Sequence, residues 1–115
     1  MSDLENNYQT QAIVAEAQNK MNDILLLREK IAKIEIEINE HSIVTDALKK
    51  LPANRRAHRL VAGLLVETDV ADALHSTETQ LQNLKSTKTK YEKDCVSLEQ
   101  ELADFQAEHN IRFEN

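Results

Sequence analysis

Four histidines, one cysteine and twenty acidic side chains are the groups in this chain that could hold a metal, attack a substrate or move a proton. Their spacing argues against all three. His41, His58, His75 and His109 include no pair three or four residues apart, the spacing that sets two ligands on one helix face. His41 and His75 fall on opposite halves of the chain, and the register argued below leaves them about 9 Å apart along the helix axis. Cys95 would need an exposed, electropositive setting to react as a thiolate. The sequence places no basic partner beside it, so it reads as a small buried hydrophobe. The acidic residues follow helical periodicity on solvated faces, without the isolated pair that general acid–base chemistry uses. A single glycine, Gly63, cannot build a phosphate-cradling loop. The expectation is a chain that is not an enzyme, with no catalytic residue, no metal and no cofactor.

Lys49, Lys50, Arg55, Arg56 and Arg59 form a basic cluster. A helix-turn-helix reader of DNA could use such a cluster, but the flanking helical segments are far too long and the formal net charge is −6. Neither nucleic acid nor an anionic membrane is an expected partner. No apolar run approaches the roughly 20 residues that span a bilayer. The first residues are acidic and polar, with no signal-peptide pattern, and one cysteine cannot form an internal disulfide. A reducing cytoplasmic or nuclear setting is expected.

The elements that carry these groups are set by two residues. Pro52 and Gly63 are the only proline and the only glycine in 115 residues, and both are central. About forty residues on either side lack a strong helix breaker. The composition, 41% hydrophobic but only 3% aromatic, suits helix faces better than a mixed globular core. In the first half, Ile13, Ala17, Lys20, Ile24, Leu27, Ile31, Ile34, Ile38, His41, Thr45 and Leu48, most of them apolar, alternate steps of four and three. In the second half the same alternation runs through Val70, Leu74, Thr77, Leu81, Leu84, Lys88, Tyr91, Cys95, Leu98, Leu102, Phe105 and His109. This is the seam of a coiled coil.

Helices joined at a central break bury such seams by folding back antiparallel. Pairing positions whose numbers sum to about 122 matches the layers. It sets Ile24 against Leu98, Leu27 against Cys95, Thr45 against Thr77, and small Ala17 against bulky Phe105. Lys20, His41, Thr45, Thr77, Lys88 and His109 also fall on the seam, where long side chains reach out to water and polar layers fix register.

Leu51-Pro52 ends the first helix, and Asp69 is the expected N-cap of the second, with Asp72 in its first turn. Residues 57–66 read either as a short helix or as two short strands turning at Ala62-Gly63. Leu60, Val61, Leu64, Leu65 and Val66 exceed what two thin helices can cover. A lone hairpin would also leave open strand edges, so Leu60, Val61, Gly63, Leu64, Leu65 and Val66 are the expected oligomer contacts. The antiparallel arrangement brings both termini to one tip. There Leu4, Tyr8, Ile13 and Val14 gather with Phe105, Ile111 and Phe113, either as frayed ends or as a surface for capturing other chains.

Asn39-Glu-His-Ser-Ile-Val44, Leu48, Arg55 to Arg59 leading into Leu60-Val-Ala-Gly-Leu-Leu-Val-Glu67, and Glu108-His-Asn-Ile-Arg112 together resemble the β-type subunits of prefoldin. The resemblance runs from about Ala12 onward. It implies a mostly α fold: a long antiparallel two-helix coiled coil joined by a central β-hairpin that enters an oligomeric β-barrel. The implied single domain spans 1–115, with a flexible N-terminus over 1–11 and helices over 12–51 and 69–113. The hairpin and its linkers occupy 52–68, with strands near Arg56 to Val61 and Leu64 to Asp69. The implied complex is a heterohexamer of two α-type and four β-type subunits. It holds unfolded polypeptides, notably actin and tubulin, and passes them to the cytosolic chaperonin without ATP. Tyr8, Ile13, Val14, Phe105, Ile111 and Phe113 would then form the client-binding tip. Two departures stand out: Ala62-Gly63 where the family often has Gly-Gly, and Ala57-His58 where it often has Cys-Tyr.

Overall fold

The long breaker-free flanks form one helix each. In the computed structural model, which describes residues 2–111 with side chains from residue 7, the order is α1 (Ser2–Lys49), β1 (Arg56–Val61), β2 (Leu64–Asp69) and α2 (Val70–His109). α1 starts at Ser2, well before residue 12. Nothing in residues 2–11 breaks a helix, and extending an existing helix costs far less than nucleating one. It stops where Lys50 N–H donates to the Ala47 carbonyl (3.3 Å) and Leu51 N–H to that of Leu48 (3.1 Å). These three-residue bonds tighten the last turn ahead of Pro52.

α2 begins as expected, with Asp72 N–H donating to the Asp69 carboxylate at 2.8 Å, an N-cap bond. It ends at His109 rather than 113. Asn110 takes a left-handed φ of 55°, and Ile111 N–H reaches back to the Gln106 carbonyl at 2.9 Å. That six-to-one bond is a Schellman stop, and asparagine tolerates the left-handed position better than most residues.

The chain divides into two compact units. One joins the chain up to Ile31 with the chain from Lys90 on; the other is Ala32–Thr89. In the first unit Ala17, Ile24, Cys95 and Leu102 are buried, with Met21, Leu27, Ile31, Leu98, Phe105 and Ile111 packed against them. Ile24 and Leu98 share this cluster, as do Ala17 and Phe105, as the layer matching requires. Ile24 is 1% exposed, a burial that contributes about 2 kcal/mol. Lys20 lies on the seam but sets its ammonium 5.4 Å from the centre of the Phe105 ring, keeping its charge outward while its stem packs.

In the second unit Val70, Ala73 and Thr45 are buried. Lys88, another polar seam position, reaches Glu35 at 3.4 Å. The expected threonine layer is polar, but no hydrogen bond is made between its two hydroxyls. Thr77 donates to the Ala73 carbonyl of its own helix at 2.9 Å, while the buried Thr45 hydroxyl has no partner. An unsatisfied buried hydroxyl costs stability.

β1 and β2 pair antiparallel from Arg56–Asp69 to Val61–Leu64. Ala62 and Gly63 form a two-residue turn with φ of 50° and 81°. Positive φ at both centres is the requirement of a type I′ turn, which matches the strand twist but strains any residue with a Cβ. Gly63 supplies the conformation freely; Ala62 does not. A Cβ at position 63 would meet nothing within 4 Å, so strain alone governs substitution there.

Three substitutions test the buried layer and the turn. Thr45→Val should raise the stability read from urea unfolding by about 1 kcal/mol, since it removes the orphaned hydroxyl and keeps the shape. Ala62→Asn should raise it by about 0.5–1 kcal/mol, and Gly63→Ala should lower it by a similar amount.

Candidate assembly hairpin and terminal residues

A β-strand alternates its side chains between faces, and the register sorts this hairpin into two. Ala57, Arg59 and Val61 lie opposite Thr68, Val66 and Leu64 on one face; Arg56, His58 and Leu60 lie opposite Asp69, Glu67 and Leu65 on the other. The base of each face is polar, and both faces are apolar toward the turn. Leu60 is 75% exposed, and Leu64 and Leu65 are 70% exposed. The six expected assembly residues therefore stand together at the turn end, but they present two surfaces rather than one. Val61 and Val66 are exposed there as well.

The strand edges are open too. In an antiparallel ladder alternate pairs exchange their N–H···O bonds and the others point theirs outward. The pair flanking a two-residue turn is a bonded one, and Val70 N–H donating to the Arg55 carbonyl at 2.9 Å keeps the same parity at the base. The backbone groups of Leu60, His58, Leu65 and Glu67 thus face away from the partner strand.

Much of the basic cluster is paired within the chain instead of awaiting a neighbour. Arg56 meets Glu67 across the strands, Arg59 meets Asp72 at 3.0 Å, and Lys49 reaches Glu78 at 3.9 Å. Asp72 also accepts from the Thr68 hydroxyl at 2.6 Å. That bond, and then Arg59, hold its carboxyl below the ordinary carboxylate value.

The remaining reactive groups sit in structural roles. Cys95 is 7% exposed and donates to Glu99 at 3.3 Å. Arg28 binds the same carboxylate at 3.0 Å, so a cationic side chain does stand near this cysteine. Even so, burial first and the Glu99 bond second push the thiol above its usual value, leaving it protonated. Arg28 in turn holds Glu99 below the usual glutamate value. His41 bridges the helices of its unit, with Nδ1 2.8 Å from the Glu37 carbonyl and Nε2 3.1 Å from Gln80 Oε1. Gln80 neighbours Leu81, the residue the proposed pairing sets across from His41, so the layer arithmetic came within one position of this bond. Among the described residues no three His, Cys, Asp or Glu side chains converge as metal ligands. No described helix is long and apolar enough to cross a membrane.

Of the residues expected at the tip, Tyr8 and Val14 are 63% and 48% exposed. Ile13 is half-buried, while Phe105 and Ile111 are half-buried against the apolar cluster of the first unit. Phe105 also stacks on His109, with ring centres 4.4 Å apart. Phe113 lies outside the described residues, and the side chain of Leu4 does too. The exposed Leu25, Leu26 and Val96 of the same unit escaped the sequence reading; they lie off the seam, where heptad counting does not look.

Comparison with known proteins places this architecture. A family model described as "Prefoldin subunit" matches residues 11–115. The proteins named prefoldin subunit 2 from Bos taurus and Homo sapiens are 38% identical over 89 residues, covering 75% of this chain and 56% of theirs. The chain thus spans little more than half the length of these curated relatives. Prefoldin subunit 2 of Saccharomyces cerevisiae is 29% identical over 86 residues, covering 75% of this chain and 78% of its own. The crystal structure of the prefoldin beta subunit from Thermococcus strain KS-1 superposes with a TM-score of 0.77 at 20% identity, over 87% of this chain and 88% of that one. It shares the fold of two long helices joined by a central hairpin. With the family model covering all but the first ten residues, this chain belongs to the prefoldin subunit family.

Proposed function

We propose that this chain is a non-catalytic, β-type subunit of a hexameric, ATP-independent chaperone. In this reading it joins α-type and other β-type prefoldin subunits in a heterohexamer through the hairpin. The complex captures unfolded polypeptides such as actin and tubulin and delivers them to the cytosolic chaperonin, acting in the cytoplasm and with the nucleus as a second setting. The observation that carries the reading is the hairpin's turn end, with Leu60, Leu64 and Leu65 at least 70% exposed on two faces and open backbone edges beside them. A two-stranded sheet of this kind is marginal in water. Enclosure in a β-barrel built with neighbouring subunits pairs its edges and covers its apolar faces at once.

Client capture is assigned to the unit that contains the terminal parts of both helices. Tyr8 and Val14 offer exposed apolar surface there, suited to weak, adaptable contacts with a chain that has no fixed shape. Ile13, Phe105 and Ile111, half-buried in the same unit, are assigned to the same surface.

The assembly claim is tested by mixing the chain with α-type prefoldin subunits and measuring mass in solution. The expected product is a heterohexamer, and Leu60→Asp with Leu65→Asp should abolish it. A chain that forms a stable homodimer alone and ignores α-type subunits would instead be a coiled-coil scaffold or tether. The capture claim is tested in the assembled complex. Tyr8→Ser with Val14→Ser should weaken suppression of aggregation of unfolded actin severalfold without changing the mass; unchanged suppression would remove the tip assignment.

A further inference from the structure

The hairpin is attached to the rest of its unit by more than the chain itself. Asp72, in the first turn of α2, receives Arg59 of β1 at 3.0 Å and the Thr68 hydroxyl of β2 at 2.6 Å on the same oxygen. Arg59 and Thr68 lie on one face of the hairpin, both half-buried, with Ala57 beside them. On the other face the tie to α2 lies at the foot, where the Asp69 carboxylate accepts the Asp72 N–H at 2.8 Å. Two further bonds close the base: Val70 N–H to the Arg55 carbonyl at 2.9 Å and Ala71 N–H to the Ala53 carbonyl at 3.0 Å. These backbone bonds act at the very foot of the hairpin, where their lever arm against swinging is short. The carboxylate acts higher up, at Arg59, four residues beyond Arg55 along β1, where the lever arm against swinging is longer.

We propose that Asp72 is a positioning residue that fixes the angle at which the hairpin leaves α2, by binding one face of both strands to the first turn of that helix. The proposal rests on the assembly role given to the hairpin above. A barrel built from several hairpins needs each one presented at a set angle, and a hairpin held in that orientation has less freedom to lose on association. One carboxylate shared by two strands supplies the restraint. Its charge matters because Arg59 is its cationic partner and a hydrogen bond to an ionised group is the stronger kind.

Two substitutions separate orientation from folding. Asp72→Asn keeps an oxygen for Thr68 and removes the charge; Arg59→Gln leaves the start of α2 untouched. In the full chain alone, spin labels on Leu64→Cys and Lys85→Cys in a Cys95→Ser background report the hairpin's angle to α2. Both variants should broaden that distance distribution, while the amides of Arg59 and Val66 stay protected from exchange by strand pairing. In the complex with α-type subunits, each variant should weaken assembly about fivefold. The double substitution Arg59→Gln with Asp72→Asn should cost little more than either alone, as expected of one shared interaction. The reversed pair Arg59→Glu with Asp72→Lys should narrow the distribution again. An unchanged distribution in both single variants overturns the proposal. So does loss of Arg59 and Val66 protection, which would make the carboxylate a fold-holding group. A wild-type chain that fails to assemble overturns the subunit reading instead, and the label distances still decide the role of Asp72.

Discussion

Two helices lying side by side can hide only one stripe of each from water, and that limit shapes the whole molecule. Among the described residues the buried ones are correspondingly few: Ala17, Ile24, Cys95 and Leu102 in one unit, with Thr45, Val70 and Ala73 in the other. Small side chains dominate because close approach of two helices leaves little volume between them. Everything apolar beyond the stripe remains outside. Some of it is scattered and unremarkable for a protein surface. At the hairpin it is concentrated, and there the fold supplies no element to cover it.

The hairpin concentrates three separate costs in a dozen residues. It exposes large aliphatic side chains on both faces, leaves alternate backbone groups unpaired on both edges, and holds Ala62 at a φ of 50°. None of these is relieved inside the chain. All but the last would be relieved together by strands from other chains laid along its edges, with their side chains closing over its faces. The base of the hairpin contrasts with its turn end: Arg56, Arg59, Glu67, Thr68 and Asp72 satisfy one another there. The polar end anchors the hairpin to its own chain, and the apolar end is left for others.

Much of this was legible in the sequence because it depends on local signals. Pro52, Asp69 and the heptad steps are chemical instructions that act within a few residues, and the helix stop, the N-cap and the seam follow them. The central segment was harder. Five aliphatic residues in seven fit a short buried helix as well as strands by pattern alone, and it took the resemblance to a known family to favour strands. The left-handed Asn110 was a readable stop signal that the continuing heptad pattern through His109 concealed. Side-chain partners were the least legible. Glu99 with Arg28, Gln80 with His41 and Asp72 with Arg59 join residues far apart in sequence; only a settled register brings them together. For the same reason, no local signal told that Thr45 would be left without a hydrogen-bond partner while Thr77 turned to its own helix.

The central claim is that the hairpin's open edges are completed by other prefoldin subunits. Amide hydrogen exchange at Leu60, His58, Leu65 and Glu67 tests this most directly, because their N–H groups face away from the β1–β2 ladder. In the isolated chain these amides should exchange rapidly while those of Arg59 and Val66 are slowed. On addition of α-type subunits, the account predicts that Leu60, His58, Leu65 and Glu67 become protected as new strands pair with them. Association that leaves these four amides exchanging as fast as before, with protection gained only along α1 and α2, would contradict it.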